Sequence, residues 1–215
     1  MRPAKPLVLA LWILAAVSVA GYAYLRYARP SAPAADVGIQ VVDGSEPNPD
    51  APLPVLFPAP DFQLTDQHGE SFPSEELEGK VWIGFIFLTN CPTGACPVMV
   101  NKMGQLQAAL PDERVHFVSF SVDPERDTPE VLSKYAREVG GAEVSDRWHL
   151  LTGGSREQMS DLARSMKLVV DENFGHSTVF LLVDKQGNVR GTFGNEDPEG
   201  MPRLRTAVRN VLAEE

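Results

Sequence analysis

Cysteine is almost missing from this chain. Only Cys91 and Cys96 occur in 215 residues, both inside the stretch CPTGACP that ends at Pro97. That count excludes a disulfide-stapled framework, and one bridge across four intervening residues would restrain the unfolded chain very little. Histidine is scarce as well. His68, His116, His149 and His176 have no metal-ligand spacing to one another, which excludes a histidine-pair zinc motif. Basic residues run short after the first 30 positions, where fifteen face 29 acidic ones for a net charge of about −14. Such a balance argues against nucleic acid or anionic lipid as a ligand of the body. It suits cations, a basic protein face, or solubility alone. There is no internal repeat.

What is present begins with a 19-residue apolar run, Leu7 to Leu25, bounded by Arg2, Lys5, Arg26 and Arg29. Its length matches a bilayer core. The small residues Ser18-Val19-Ala20 offer a signal-peptide cleavage site, but apolar and aromatic residues continue past it through Tyr22, Tyr24 and Leu25. An uncleaved single-pass anchor is therefore expected over residues 1–29, with the body on the extracytoplasmic side. Eight prolines between Pro30 and Pro60 mark residues 30–59 as a semi-rigid tether. The remaining residues, 60–215, are enough for one domain with a sizeable core.

Within that domain, Phe62-Gln63-Leu64 and Ser71-Phe72 flank Asp66, His68 and Gly69 as a small hairpin. The apolar run Val81–Leu88 predicts a buried strand, and Met99, Met103, Leu106 and Leu110 predict a helix over 97–110 with the methionines in the core. A strand over Val115–Val122, a helix from Pro129, a short strand Trp148–Leu151 and a helix carrying Met159 to Met166 follow. The chain closes with a hairpin, VFLLVD and Val189–Phe193 about the turn Lys185–Asn188, and a helix through Leu204 and Val211. Strands alternating with helices and ending in a hairpin indicate an α/β domain with a mixed sheet.

CPTGACP thus lies on a strand-to-helix turn. With Pro97 as the first helical residue, Cys96 is expected at the N-cap, where unpaired N–H groups and the helix dipole favour its thiolate. Two close thiols on such a turn indicate a redox or metal pair, and the order of elements indicates a thioredoxin-like layout. Asp127 is expected to cap the helix that starts at Pro129, with Glu130 closing a capping box; an acidic rim formed with Asp123 is the alternative.

CPTGACP, SVDPERDTP (Ser121–Pro129) and GHSTVFLLVD (Gly175–Asp184), taken in order, resemble the SCO/SenC family of membrane-anchored, thioredoxin-fold copper chaperones. The likeness runs from about Pro60 to Asn195. It implies delivery of copper, or preparation of thiols, for the binuclear copper site of cytochrome c oxidase, with that site's subunit as partner and a thiol reductase or another copper chaperone as further partners. The family's two cysteines and one histidine map onto Cys91, Cys96 and His176. Two thiolates and an imidazole suit Cu(I) and can hold Cu(II), whereas zinc would usually want a fourth ligand. One feature departs from the family: four residues, Pro92 to Ala95, separate the cysteines where the family usually has three, and the family's intervening acidic residue is absent. Gly94 is the residue able to absorb the extra length.

Two other functions fit the same residues. An extracytoplasmic thiol:disulfide oxidoreductase would use the dithiol as reagent and leave His176 a tuning role. A general thioredoxin is disfavoured, because no proline stands just before Val179, where that fold carries its cis-proline. A copper or redox sensor is the third reading.

Overall fold

The computed structural model describes residues 52–139, 144–170 and 177–214. The apolar run Leu7–Leu25, the tether up to Ala51 and His176 lie outside the described residues. No helix among the described residues is long and apolar enough to cross a membrane.

The strands are β1 (Phe57–Pro58), β2 (Gln63–Thr65), β3 (Ser71–Pro73), β4 (Val81–Phe87), β5 (Val115–Ser121), β6 (Trp148–Leu151), β7 (Val179–Val183) and β8 (Asn188–Gly194). The helices are α1 (Ala95–Ala109), α2 (Pro129–Val139), α3 (Arg156–Ser165) and α4 (Gly200–Ala213), with one 3-10 turn at Ser74–Leu77. A six-stranded sheet runs β1-β8-β7-β4-β5-β6. The β4, β5 and β6 strands are parallel, while β7 pairs antiparallel with both β4 and β8. The expected mixed sheet is present, and each expected element appears within a few residues of its predicted bounds.

Every residue of β4 and β5 is buried, because both faces of the sheet are covered there; β4 is apolar throughout, whereas β5 also buries His116, Ser119 and Ser121. Phe85, Phe87, Phe117, Phe120, Phe180 and Trp148 are fully enclosed, each contributing roughly 1.5–3 kcal/mol or more by leaving water. Met99 and Met103 are likewise at zero exposure, so the methionine stripe of α1 is core. The β2–β3 hairpin is held to the sheet by a Thr65–Thr152 bridge. Buried Gln67 ties it further, donating to the Trp148 carbonyl (3.1 Å) and accepting from the Leu150 N–H (2.8 Å).

The segment at Leu53 and Pro54 is held to the domain by a buried cation. Arg190 on β8 pairs with Asp184 (3.2 Å) and with Glu214 (2.6 Å), and also donates to the Leu53 and Pro54 carbonyls. His68 is exposed, as expected of a turn residue. His116 and His149 stack in parallel, 5.8 Å between ring centroids, and burial pushes both well below the usual imidazole range, to about 4.

Candidate metal and redox centre

The cysteine turn leaves the carboxyl end of β4, where open α/β sheets place their ligands. Gly94 has φ of 74° and precedes the first helical residue, Ala95. A side chain there would be strained, so glycine supplies the backbone needed by the longer loop. Thr93 braces the turn: its hydroxyl lies 3.2 Å from the Cys91 sulfur and accepts from the Ala95 N–H at 3.4 Å.

The helix therefore begins two residues earlier than Pro97 predicts, and Cys96 is its second residue, not its N-cap. Proline in a first turn gives up only an N–H that has no helical partner anyway, so the helix extends back past it. Cys96 is wholly buried, whereas Cys91 is partly exposed, and no disulfide joins them.

Ionisation follows enclosure, reversing the expectation that Cys96 holds the thiolate. Burial drives the Cys96 thiol far above the usual range, the Cys91 partner and the Asp127 charge push the same way, and a hydrogen bond from the Leu88 backbone does not offset them. Burial also opposes ionisation of Cys91. Hydrogen bonds from the Cys96 side chain, the Thr93 hydroxyl and the backbone of both residues outweigh it, lowering the Cys91 pKa from 9.0 to about 6. At neutral pH the pair is a thiolate at Cys91 accepting a hydrogen bond from the Cys96 thiol.

Asp127 does not cap α2. Thr128 takes that place, its hydroxyl 3.5 Å from the Val131 N–H and donating to Glu130 at 2.7 Å. The Asp127 carboxylate turns inward to zero exposure and accepts from the Thr89 N–H (3.1 Å), the Thr89 hydroxyl (2.5 Å) and the Ser121 hydroxyl (2.6 Å). It thereby fastens the residue two before Cys91 to the end of β5. A buried carboxylate needs such donors, and a cap position open to water does not offer three. Asp123 is buried beside it, and burial followed by the Asp127 charge raises its pKa. Sequence patterning could not have picked out Thr89, Thr93 or the inward turn of Asp127, because loop residues carry no periodicity.

His176 lies outside the described residues, but its chain neighbours are placed. Ser177 and Val169 exchange two hydrogen bonds, Ser177 N–H to the Val169 carbonyl (2.9 Å) and Val169 N–H to the Ser177 hydroxyl (2.8 Å). The Thr178 carbonyl accepts from the Asn195 N–H (2.8 Å), and the Asn195 carbonyl accepts from Lys102 of α1 (2.7 Å). The chain leaving His176 is therefore tied to the helix that carries Cys96. Among the described residues no group of three or more His, Cys, Asp or Glu side chains is arranged to hold a metal. The contacting sulfurs supply two soft donors, which fits Cu(I).

The model of the SCO1/SenC family matches residues 57–212. The chain belongs to the SCO1/SenC family. The SCO1 protein homolog of Bacillus subtilis is 35% identical over 144 residues, 63% of this chain and 73% of that protein. The solved structure of BsSco, described as a member of the Sco family of cytochrome c oxidase assembly proteins with a disulfide switch, is similar at a TM-score of 0.67. It has 31% identity, and the match covers 77% of this chain and 99% of BsSco. Arabidopsis thaliana ScoI, solved with copper bound, matches at a TM-score of 0.57 and 26% identity, over 70% of this chain and 98% of its own. These likenesses make the fold of this SCO1/SenC member thioredoxin-like.

Proposed function

We propose that this SCO1/SenC protein carries copper on Cys91, Cys96 and His176 and serves the binuclear copper site of cytochrome c oxidase. The observation that carries the reading is the contact between the two thiols, one of them already biased to thiolate. Copper in the Arabidopsis relative and the assembly role given for BsSco support it. Copper would be cargo here. The chain's own part is to present two sulfurs at the mouth of the turn, to release the Cys96 proton on ligation, and to bring the imidazole in from the segment before β7. We assign residues 1–29 to a membrane anchor and the proline-rich stretch that follows, up to the residues packed on the sheet, to a tether that holds the domain on the extracytoplasmic side.

Anaerobic titration of the reduced protein tests the reading. One Cu(I) per chain is expected, lost in Cys91→Ala and Cys96→Ala, with weak uptake by the disulfide form. Equal affinity of oxidised and reduced protein would overturn it.

The asymmetry of the thiols favours one second reading, a thiol:disulfide oxidoreductase acting on the oxidase's copper-site cysteines. A partly exposed thiolate would attack the substrate disulfide, and the buried thiol would resolve the mixed disulfide. His176→Ala separates the two. A carrier loses Cu(II) binding and oxidase loading, whereas a reductase keeps oxidase maturation.

A further inference from the structure

Two histidines lie under the β2–β3 hairpin, away from the cysteine turn. Val118 of β5 pairs with His149 of β6, and side chains two apart on a strand share a face, so His116 and His149 point to the same side of the sheet. Their rings are parallel there, 5.8 Å between centroids and 2° between planes. Phe72 of β3 packs on His149, with centroids 4.3 Å apart. Gln67, by its bonds to Trp148 and Leu150, holds the same hairpin along the edge of β6. His116 is buried, and its Nδ1 has no hydrogen-bond partner among the described residues. The neighbouring charges are mostly cationic. Arg147 donates to the Val115 carbonyl beside His116 (2.8 Å), Lys80 ends the segment before β4 and opposes charge on both rings, and His68 lies against Gln67 at 3.3 Å. On the acidic side stand exposed Asp146 and Asp66, whose carboxylate already accepts the His68 and Glu70 N–H groups (2.8 and 2.9 Å). Glu113 offers His116 only a backbone hydrogen bond.

A neutral imidazole has one N–H donor and an imidazolium has two. A proton taken up by this pair would therefore set a cation against a second imidazole, Lys80 and Arg147, and at His116 Nδ1 it would create a buried donor with no acceptor. We propose that the His116–His149 stack is an acid-sensitive latch, which keeps the β2–β3 hairpin on the sheet while both rings are neutral and lets it go when a proton enters the pair. The hairpin is suited to leave. Its strands are three residues long, and one bridge, Thr65–Thr152, and the Gln67 side chain join it to the edge of β6. Release uncovers Phe72 and that edge, and leaves in place the cysteine turn at the opposite end of the sheet. In the closed state both rings titrate at about 4 against an ordinary 6.5, so the closed hairpin is fully favoured above about pH 6.5 and loses stability as the pH falls toward 4. The latch would operate whether or not the cysteines carry copper.

The test is amide hydrogen exchange of the full chain at pH 7, 6 and 5, with uptake in each peptide divided by the intrinsic rate at that pH. Protection of residues 63–74 should fall roughly twentyfold between pH 7 and pH 5 for each ring that opening frees, while peptides from β4, β5 and β7 keep theirs. His116→Phe combined with His149→Phe keeps two flat rings and removes the titration, so its hairpin should be as protected at pH 5 as at pH 7. An equal fall in that double variant would assign the opening to Asp66 or another carboxylate and overturn the latch. So would unchanged protection in the wild type, or a loss shared by every peptide, the mark of global unfolding. Should the double variant not fold, the ring-proton resonances of the four wild-type histidines decide. Two of them should hold their neutral positions at pH 6, where an ordinary imidazole is mostly charged. Four resonances titrating near pH 6.5 would overturn the inference.

Discussion

Cys91, and not Cys96, should be the thiol that reagents find, and its reactivity should be nearly flat from pH 7 to pH 9. With a pKa of about 6 it is roughly nine-tenths ionised at pH 7, whereas a thiol left at the ordinary 9.0 is about 1% ionised, a gain of roughly 90-fold in thiolate. A less basic thiolate is also a weaker nucleophile, and three pKa units reduce its intrinsic rate on the order of twentyfold. Net reactivity at pH 7 should then exceed that of an ordinary exposed thiol only about fourfold, so the shape of the profile is more telling than its height. The reduced, metal-free protein would be pulsed with iodoacetamide between pH 5 and pH 9, and the two cysteine peptides followed by mass spectrometry. A Cys91 rate with a midpoint near pH 6 and an unmodified native Cys96 are expected. Thr93→Val removes one of the donors to Cys91 and should move the midpoint upward. Prior labelling of Cys96, or a Cys91 rate that climbs steadily to pH 9, would refute the assignment of the thiolate.

The same shift predicts a stability effect of definite sign. Because the folded Cys91 pKa lies below 9.0, its contribution is full above about pH 9 and is lost as the pH falls to about 6, so urea midpoints of wild type and Cys91→Ser should converge over that window. A constant difference would count against it. Asp127→Ala strands the Thr89 and Ser121 donors and should cost roughly 3–5 kcal/mol in denaturant unfolding, Asp127→Asn distinctly less; a cost below about 1 kcal/mol for the alanine would contradict the clamp. Arg190→Ala leaves Asp184 buried without its cation and should likewise lose roughly 3–5 kcal/mol, with early proteolysis near Leu53. Unaltered stability and cleavage would show that the ion cluster does not hold the segment at Leu53 and Pro54.

The sequence by itself determined the order of elements and the place of the chemistry. The continuous apolar run Val81–Phe87, followed at once by the cysteine turn, reads as a buried strand, and the heptad-like stripe of Met99, Met103, Leu106 and Leu110 has one buried side. Two cysteines alone in one turn left no other thiol for the site. The longer loop was legible too, since glycine adopts positive φ more readily than any other residue and Gly94 does so. Which sulfur ionises was decided by the tertiary structure, because enclosure, and not position on the helix, sets the cost of charge on Cys96. Asp127 has the sequence context of a cap, and only the packing of β5 against the loop at Thr89 turns its carboxylate inward. Tyr135 falls on the apolar face of α2 in either view. That its ring meets Phe87 of β4, 48 positions away in the chain, is decided by the packing of α2 on the sheet. Periodicity reports which face of an element is buried, and it carries no record of what that face meets.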